Sequence, residues 1–150
     1  MTTRLALTRN LLAFALLACA AFAQAAAPVI EVYKSATCGC CTAWIDHLRA
    51  NGFQVKAHDV DDPASYRAKY GVPDALGSCH TAVVDGYAIE GHVPASEIRQ
   101  LLAQRPKARG LSVPGMPLGS PGMEGPRADP YAVMLIGKDG SHSVYSRYPK

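Results

Sequence analysis

Thr37-Cys38-Gly39-Cys40-Cys41-Thr42 places three of the chain's five cysteines within four residues. Before it lies Val29-Ile30-Glu31-Val32-Tyr33, a β-branched and aromatic run. After it lies Ala43-Trp44-Ile45-Asp46-His47-Leu48, in which Trp44, Ile45 and Leu48 form a helical apolar stripe. The cysteines are therefore predicted at a strand-to-helix turn. The unpaired N–H groups and partial positive charge of a helix N-terminus favour thiolate over thiol there. Thiolate is the form that attacks disulfides and binds soft metals. The bland alternative is buried or disulfide-bonded cysteines without chemistry, and three so closely spaced at such a turn argue against it.

The elements follow outward from that turn. Residues 28–35 are expected as a first strand and 40–50 as a first helix, closed by Asn51-Gly52. Residues 53–60 alternate in part and read as a second strand. Asp61-Asp62-Pro63 opens a second helix over 64–70, which Gly71 closes. Residues 72–78 read as a loop. Two β-type runs, 79–84 and 87–93, flank Asp85-Gly86, a hairpin signal. Pro94 starts a last helix through Glu97, Ile98, Leu101 and Leu102 to about Gln104.

The order is βαβαββα. With Cys38-x-x-Cys41 between the first strand and first helix, it resembles the thioredoxin fold. The expected class is α/β, a thioredoxin-like βαβαββα core over a single domain, 28–150. In that fold a cis-proline usually precedes the third strand and packs on the Cys-x-x-Cys turn. This chain has Cys79-His80-Thr81 there and no proline. The departure sets a fourth sulfur and an imidazole where they could face Cys38, Cys40 and Cys41.

Residues 106–129 are rich in glycine and proline and are expected as a long extended loop carrying Met116 and Met123. Thioether is a soft Cu(I) ligand, and methionine is equally a filler of apolar gaps. Residues 131–136 and 141–146, around Lys138-Asp139-Gly140, read as a second hairpin at the sheet edge.

The first 25 residues read as a secretory signal peptide. Arg4 and Arg9 precede an apolar run, 11–23, followed by the small-residue sites Ala21-Phe22-Ala23 and Ala23-Gln24-Ala25. A lipoprotein box ending at Cys19 is the lesser reading, because Leu17 fits it poorly. The expected address is periplasmic, an oxidising compartment where unprotected thiols pair. Formal net charge is +3 with no long basic run, which argues against nucleic acid. The mature chain keeps Cys38, Cys40, Cys41 and Cys79, and no apolar run in it is long enough to span a bilayer.

Four thiols permit two chemistries. As a redox pair, Cys38 is the exposed nucleophile and Cys41, one turn inside the helix, its resolving partner; Cys40 and Cys79 are then surplus. A copper site uses all four, since crowded thiolates can bridge several Cu(I) ions. Two thiolates giving up two electrons can also reduce two Cu(II) to two Cu(I). His80, beside Cys79, is the best imidazole candidate and His92 a lesser one; His47, His58 and His142 read as solvated. Trp44 reads as core, with shelter of the cysteines as the alternative.

The chain also resembles the CopG-like periplasmic proteins associated with bacterial copper resistance. The resemblance runs from about Ile30 to Tyr145. It rests on Cys38-Gly39-Cys40-Cys41, Ser78-Cys79-His80-Thr81, Glu90-Gly91-His92-Val93-Pro94, Val113-Pro114-Gly115-Met116-Pro117 and Gly119-Ser120-Pro121-Gly122-Met123-Glu124. It implies a thioredoxin-like fold, Cu(I) at Cys38, Cys40, Cys41 and Cys79 with His80, Met116 and Met123 nearby, and a role in copper redox handling. The rivals left open are a thiol–disulfide oxidoreductase using Cys38 and Cys41, and a passive Cu(I) carrier to an efflux or resistance partner.

Overall fold

The computed structural model describes residues 28–150. The expected leader, with Cys19, lies outside the described residues. The elements are β1 (Val29–Lys34), α1 (Gly39–Ala50), β2 (Gln54–Asp59), α2 (Pro63–Lys69), a 3-10 turn (Asp74–Leu76), β3 (His80–Val84), β4 (Tyr87–Glu90), α3 (Ala95–Gln104), β5 (Ala108–Ser112), β6 (Tyr131–Gly137) and β7 (His142–Tyr148).

The protein is a mixed α/β structure with three helices on one seven-stranded sheet, ordered β2-β1-β3-β4-β5-β6-β7. β1 and β2 run parallel, while β3 is antiparallel to β1 and to β4. The parallel pair is joined through α1. The β3–β4 turn is Asp85-Gly86, both at positive φ (48° and 84°), as a two-residue hairpin of primed type requires.

Alternation on β1 turns Ile30 and Val32 into the core, where they meet Trp44, Ile45 and Leu48 of α1. From the other side of the chain come Ile89, Ile98, Leu101 and Leu111. Each such fully buried aliphatic contributes about 1.5–3 kcal/mol. Trp44 is completely buried and its indole N–H donates to the Val93 carbonyl at 2.9 Å, so it is core, as read.

The expected loop over 106–129 is corrected in its first part. Ala108–Ser112 is a strand, β5, parallel to β4 and reached through α3. Its apolar content is thin, and its signal is a backbone one. A Cβ on Gly110 would lie 1.7 Å from the Ala88 carbonyl oxygen, so glycine lets β5 close on β4. Burial of Leu111 and Val113 holds the strand in place. The expected C-terminal hairpin is present as β6–β7, docked on β5. The remaining stretch, 113–130, has neither helix nor strand and crosses the end of the sheet that carries the cysteines.

Candidate metal centre

Cys38 stands at the N-cap of α1, and no side chain caps that helix end. No acidic residue lies in the first turn either, so the helix's positive end faces the sulfurs uncompensated. Cys38 and Cys41 form a disulfide, with Cys38 half-buried and Cys41 fully buried. Cys40 and Cys79 are free. The Cys40 sulfur lies 3.6 Å from that of Cys38, and the Cys79 sulfur lies 3.6 Å from that of Cys41. All four sulfurs fall within 4.8 Å of one another.

Cys79 reaches this place because a buried ion pair holds the segment before β3. Glu90, fully buried, accepts from the Ser78 backbone N–H at 2.7 Å, from Arg67 Nε at 3.0 Å and from the Thr81 hydroxyl at 2.6 Å. Arg67 donates a second bond to the Ser78 carbonyl at 3.0 Å. One carboxylate and one guanidinium thus fix residues 78–81 against the end of β4. Gly91 follows at φ +69°, and a Cβ there would meet Ser78 Cβ at 2.5 Å and the Val113 carbonyl oxygen at 2.7 Å.

Two buried imidazoles join the sulfur of Cys79. His80 Nδ1 lies 3.4 Å from it and His92 Nε2 3.1 Å. His92 Nδ1 donates to the Pro121 carbonyl at 2.8 Å, which turns the Nε2 lone pair toward the sulfur. The His80 ring lies tilted at 38° against Trp44, centroids 4.4 Å apart, and its buried Nε2 has no partner among the described residues. Burial holds the His80 pKa down to about 3 and lowers that of His92, so both are neutral imidazoles near pH 7. Burial also pushes the Cys79 thiol up to about 12, although the Ser78 hydroxyl opposes it. Cys79–His80–His92 forms a second group of closely spaced ligand atoms, sharing Cys79 with the sulfur group.

The two methionines lie on the loop over 113–130, whose backbone is tied to the segments that carry the centre. Gly115 N–H donates to the Gly77 carbonyl at 2.9 Å, and the Ser78 hydroxyl donates to the Gly115 carbonyl. Gly122, at φ +83°, packs so tightly on α1 that a Cβ would lie 2.7 Å from Trp44 N and 2.8 Å from the Cys40 carbonyl oxygen. Met123 is half-buried beside that contact, whereas Met116 is 52% exposed.

The other histidines stay outside the centre. His142 is exposed, as expected. His47 is not simply solvated: its Nε2 accepts the Ala95 N–H at 3.2 Å, supplying a partner at the uncapped start of α3. His58 is half-buried, bonded to Glu31 and stacked on Tyr33 at 5.0 Å. The sequence pointed only faintly to His92. Its signal is its place between a glycine at positive φ and Val93-Pro94, which swings the chain back over the cysteine turn.

The donors gathered here are thiols and neutral imidazoles, with no carboxylate in either group. Such a set suits a soft metal ion and disfavours Mg²⁺ or Ca²⁺. The half-exposed and buried sulfurs of one disulfide also suit thiol exchange.

Comparison with known proteins accords with that chemistry. The profile of a family described as "Protein of unknown function, DUF411" matches residues 76–123, which include Cys79, His80, His92, Met116 and Met123. No curated protein matches the chain. Two solved structures do. "Copper resistance protein copG, Form 2" is 48% identical, with a TM-score of 0.78 over 82% of this chain and 99% of that one. "Form 1" is 49% identical, with a TM-score of 0.76 over 81% of this chain and 98% of that one. On that identity, spanning nearly the whole of both solved chains, the protein belongs to the CopG copper-resistance family.

Proposed function

We propose that this is a periplasmic copper-handling protein of thioredoxin-like fold. Its cargo is Cu(I), held by Cys38, Cys40, Cys41 and Cys79, with His80 and His92 on the Cys79 side and Met116 and Met123 on the covering loop. The observation that carries the reading is the convergence of four sulfurs within 4.8 Å, two of them free. The thioredoxin-like reading is supported by the β2-β1-β3-β4 order, with α1 leaving β1 at the Cys-x-x-Cys turn. Export follows from the leader read over residues 1–25.

Metal handling is coupled to cysteine oxidation in this reading. When the Cys38 and Cys41 thiolates join as a disulfide, two electrons leave sulfur. Those electrons convert two Cu(II) to two Cu(I), and an external dithiol re-reduces the disulfide by exchange. An efflux or resistance protein then takes the copper.

The test is anaerobic titration of the fully reduced protein with Cu(I) against a chromophoric chelator, with sulfur coordination read by X-ray absorption. Tight binding that masks all four thiols, and that weakens sharply in the Cys40→Ala/Cys79→Ala double variant, is the expected result. Undiminished binding in that variant would sink the proposal. A second reading is favoured by the exposure difference between Cys38 and Cys41, which suits an attacking and a resolving sulfur. It makes the protein a thiol–disulfide oxidoreductase, and it predicts reduction of insulin disulfides that needs Cys38 and Cys41 alone.

A further inference from the structure

At the opposite end of the sheet from the cysteines, a cavity of about 370 Å³ opens beside the β3–β4 turn. Its lining includes Lys69 at the end of α2 and Tyr70 just after it, Gly86 and Ala88 of the β3–β4 hairpin, Arg109 of β5 and Lys138 of the β6–β7 turn. Three of these residues are cationic and none is acidic. Among the described residues, none of the three makes an ion pair. The carboxylates nearest in sequence form no ion pair with these three cations. Asp85 pairs with Arg105, and Asp139 accepts from the Ser141 N–H at 3.0 Å and from its hydroxyl at 2.6 Å.

Arg109 is built in rather than loosely placed. Its two terminal nitrogens donate to the Tyr70 carbonyl at 3.5 Å and the Lys138 carbonyl at 2.6 Å. Its Nε is buried with no partner. Gly71, at φ +68°, makes room for it: a Cβ there would lie 2.5 Å from one guanidinium nitrogen. Lys69 is held by its neighbours too, its ammonium lying 5.5 Å over the rings of Tyr66 and Tyr70. The arrangement brings like charges from three separate elements to one concavity whose lining holds no carboxylate. That is unfavourable for the empty protein and favourable once an anion enters. The volume is that of a small-molecule site, larger than one water or chloride needs.

We propose that this cavity is a binding site for a small oxyanion carrying two or more negative charges, independent of the cysteine centre. Arg109 supplies the fixed planar cation, and Lys69 and Lys138 close on the ligand from either side. Inorganic pyrophosphate is the probe for phosphate chemistry and citrate the probe for carboxylate chemistry.

The experiment is calorimetric titration of the metal-free protein with each probe at constant ionic strength. Saturable binding of one pyrophosphate or one citrate per chain is expected, the tighter probe naming the ligand class. Loss of one charge-assisted contact should weaken it about tenfold in Arg109→Gln and in Lys138→Gln. Arg147→Gln, an unpaired cation outside the cavity, should leave it unchanged. If Arg109→Gln does not fold, the Lys69→Gln/Lys138→Gln double variant carries the test, because neither side chain makes an ion pair. No saturable binding at millimolar probe, or equal binding in wild type and cavity variants, overturns the proposal. Copper binding, read in parallel, should be the same in every cavity variant.

Discussion

The Cys79 thiol, pushed up to about 12 by burial, is protonated in the metal-free protein at neutral pH. A metal that takes this sulfur must displace the proton. Cu(I) loading of the reduced protein is therefore expected to acidify an unbuffered solution, and Cys79→Ala should lower the yield by about one proton per chain. A pH-stat titration measures this. His80 and His92 set an acid limit of their own. Both have folded pKa values below the ordinary 6.5, so the unfolded chain binds more protons than the native one as pH falls. Stability is complete above about pH 6.5 and is lost as pH falls toward about 3, the His80 value. Chemical denaturation of metal-free protein across that range should show the decline, and His80→Gln should flatten it. Gly122 decides how closely the loop lies on α1. Gly122→Ala puts a methyl against Trp44 N and the Cys40 carbonyl at a left-handed φ, with an expected cost of about 1–3 kcal/mol. Unfolding midpoints in urea would read it.

Between β3 and β4, the Glu90–Arg67 pair is what converts a hairpin into a holder for Cys79. Arg67→Met leaves the Glu90 carboxylate buried with its charge uncompensated, and breaking a buried pair from one side costs about 3–5 kcal/mol. The expected outcome is a lower denaturation midpoint together with weaker Cu(I) binding, because residues 78–81 lose their brace. Unchanged copper affinity in a folded Arg67→Met protein would mean the pair serves stability alone. The hairpin was legible from Asp85-Gly86, and α1 from its stripe, because both rest on local patterns. The buried brace was not legible, because Arg67 and Glu90 stand 23 residues apart and an isolated charge gives no hint of its partner. β5 was missed for a similar reason. Its identity as a strand rests on Gly110 approaching Ala88, a tertiary contact, and not on β-type side chains.

Across the whole molecule, the centre takes donors from the start of α1, from Cys79 and His80 at the start of β3, and from His92 after β4, while the loop beyond β5 holds His92 through the Pro121 carbonyl. No stretch of the unfolded chain holds these donors at such spacing. Metal binding is therefore linked to global folding, and Cu(I) at a thousandfold excess over its dissociation constant should add about 4 kcal/mol to unfolding. Thermal unfolding of reduced protein with and without Cu(I) checks this, and the Cys40→Ala/Cys79→Ala variant should show little of the gain. The βαβαββα order was readable because its strands and helices carry local patterns: the apolar stripe of α1, the Asp62-Pro63 start of α2 and the Asp85-Gly86 turn. The extension of the sheet to seven strands was readable only at its far hairpin, since β5 joins the two parts without a signature of its own.

The disulfide between Cys38 and Cys41 occupies two of the four sulfurs that meet at the centre. Under the proposed function, sulfur–sulfur bonding and copper coordination compete for the same atoms. Linkage then runs in both directions. Each tenfold preference of copper for the dithiol form raises the reduction potential of the Cys38–Cys41 couple by about 30 mV. A loaded chain thus resists the oxidants of its compartment, and an emptied one becomes oxidisable. Copper occupancy would in this way be written into the redox state of the protein, where any thiol-reactive partner could read it.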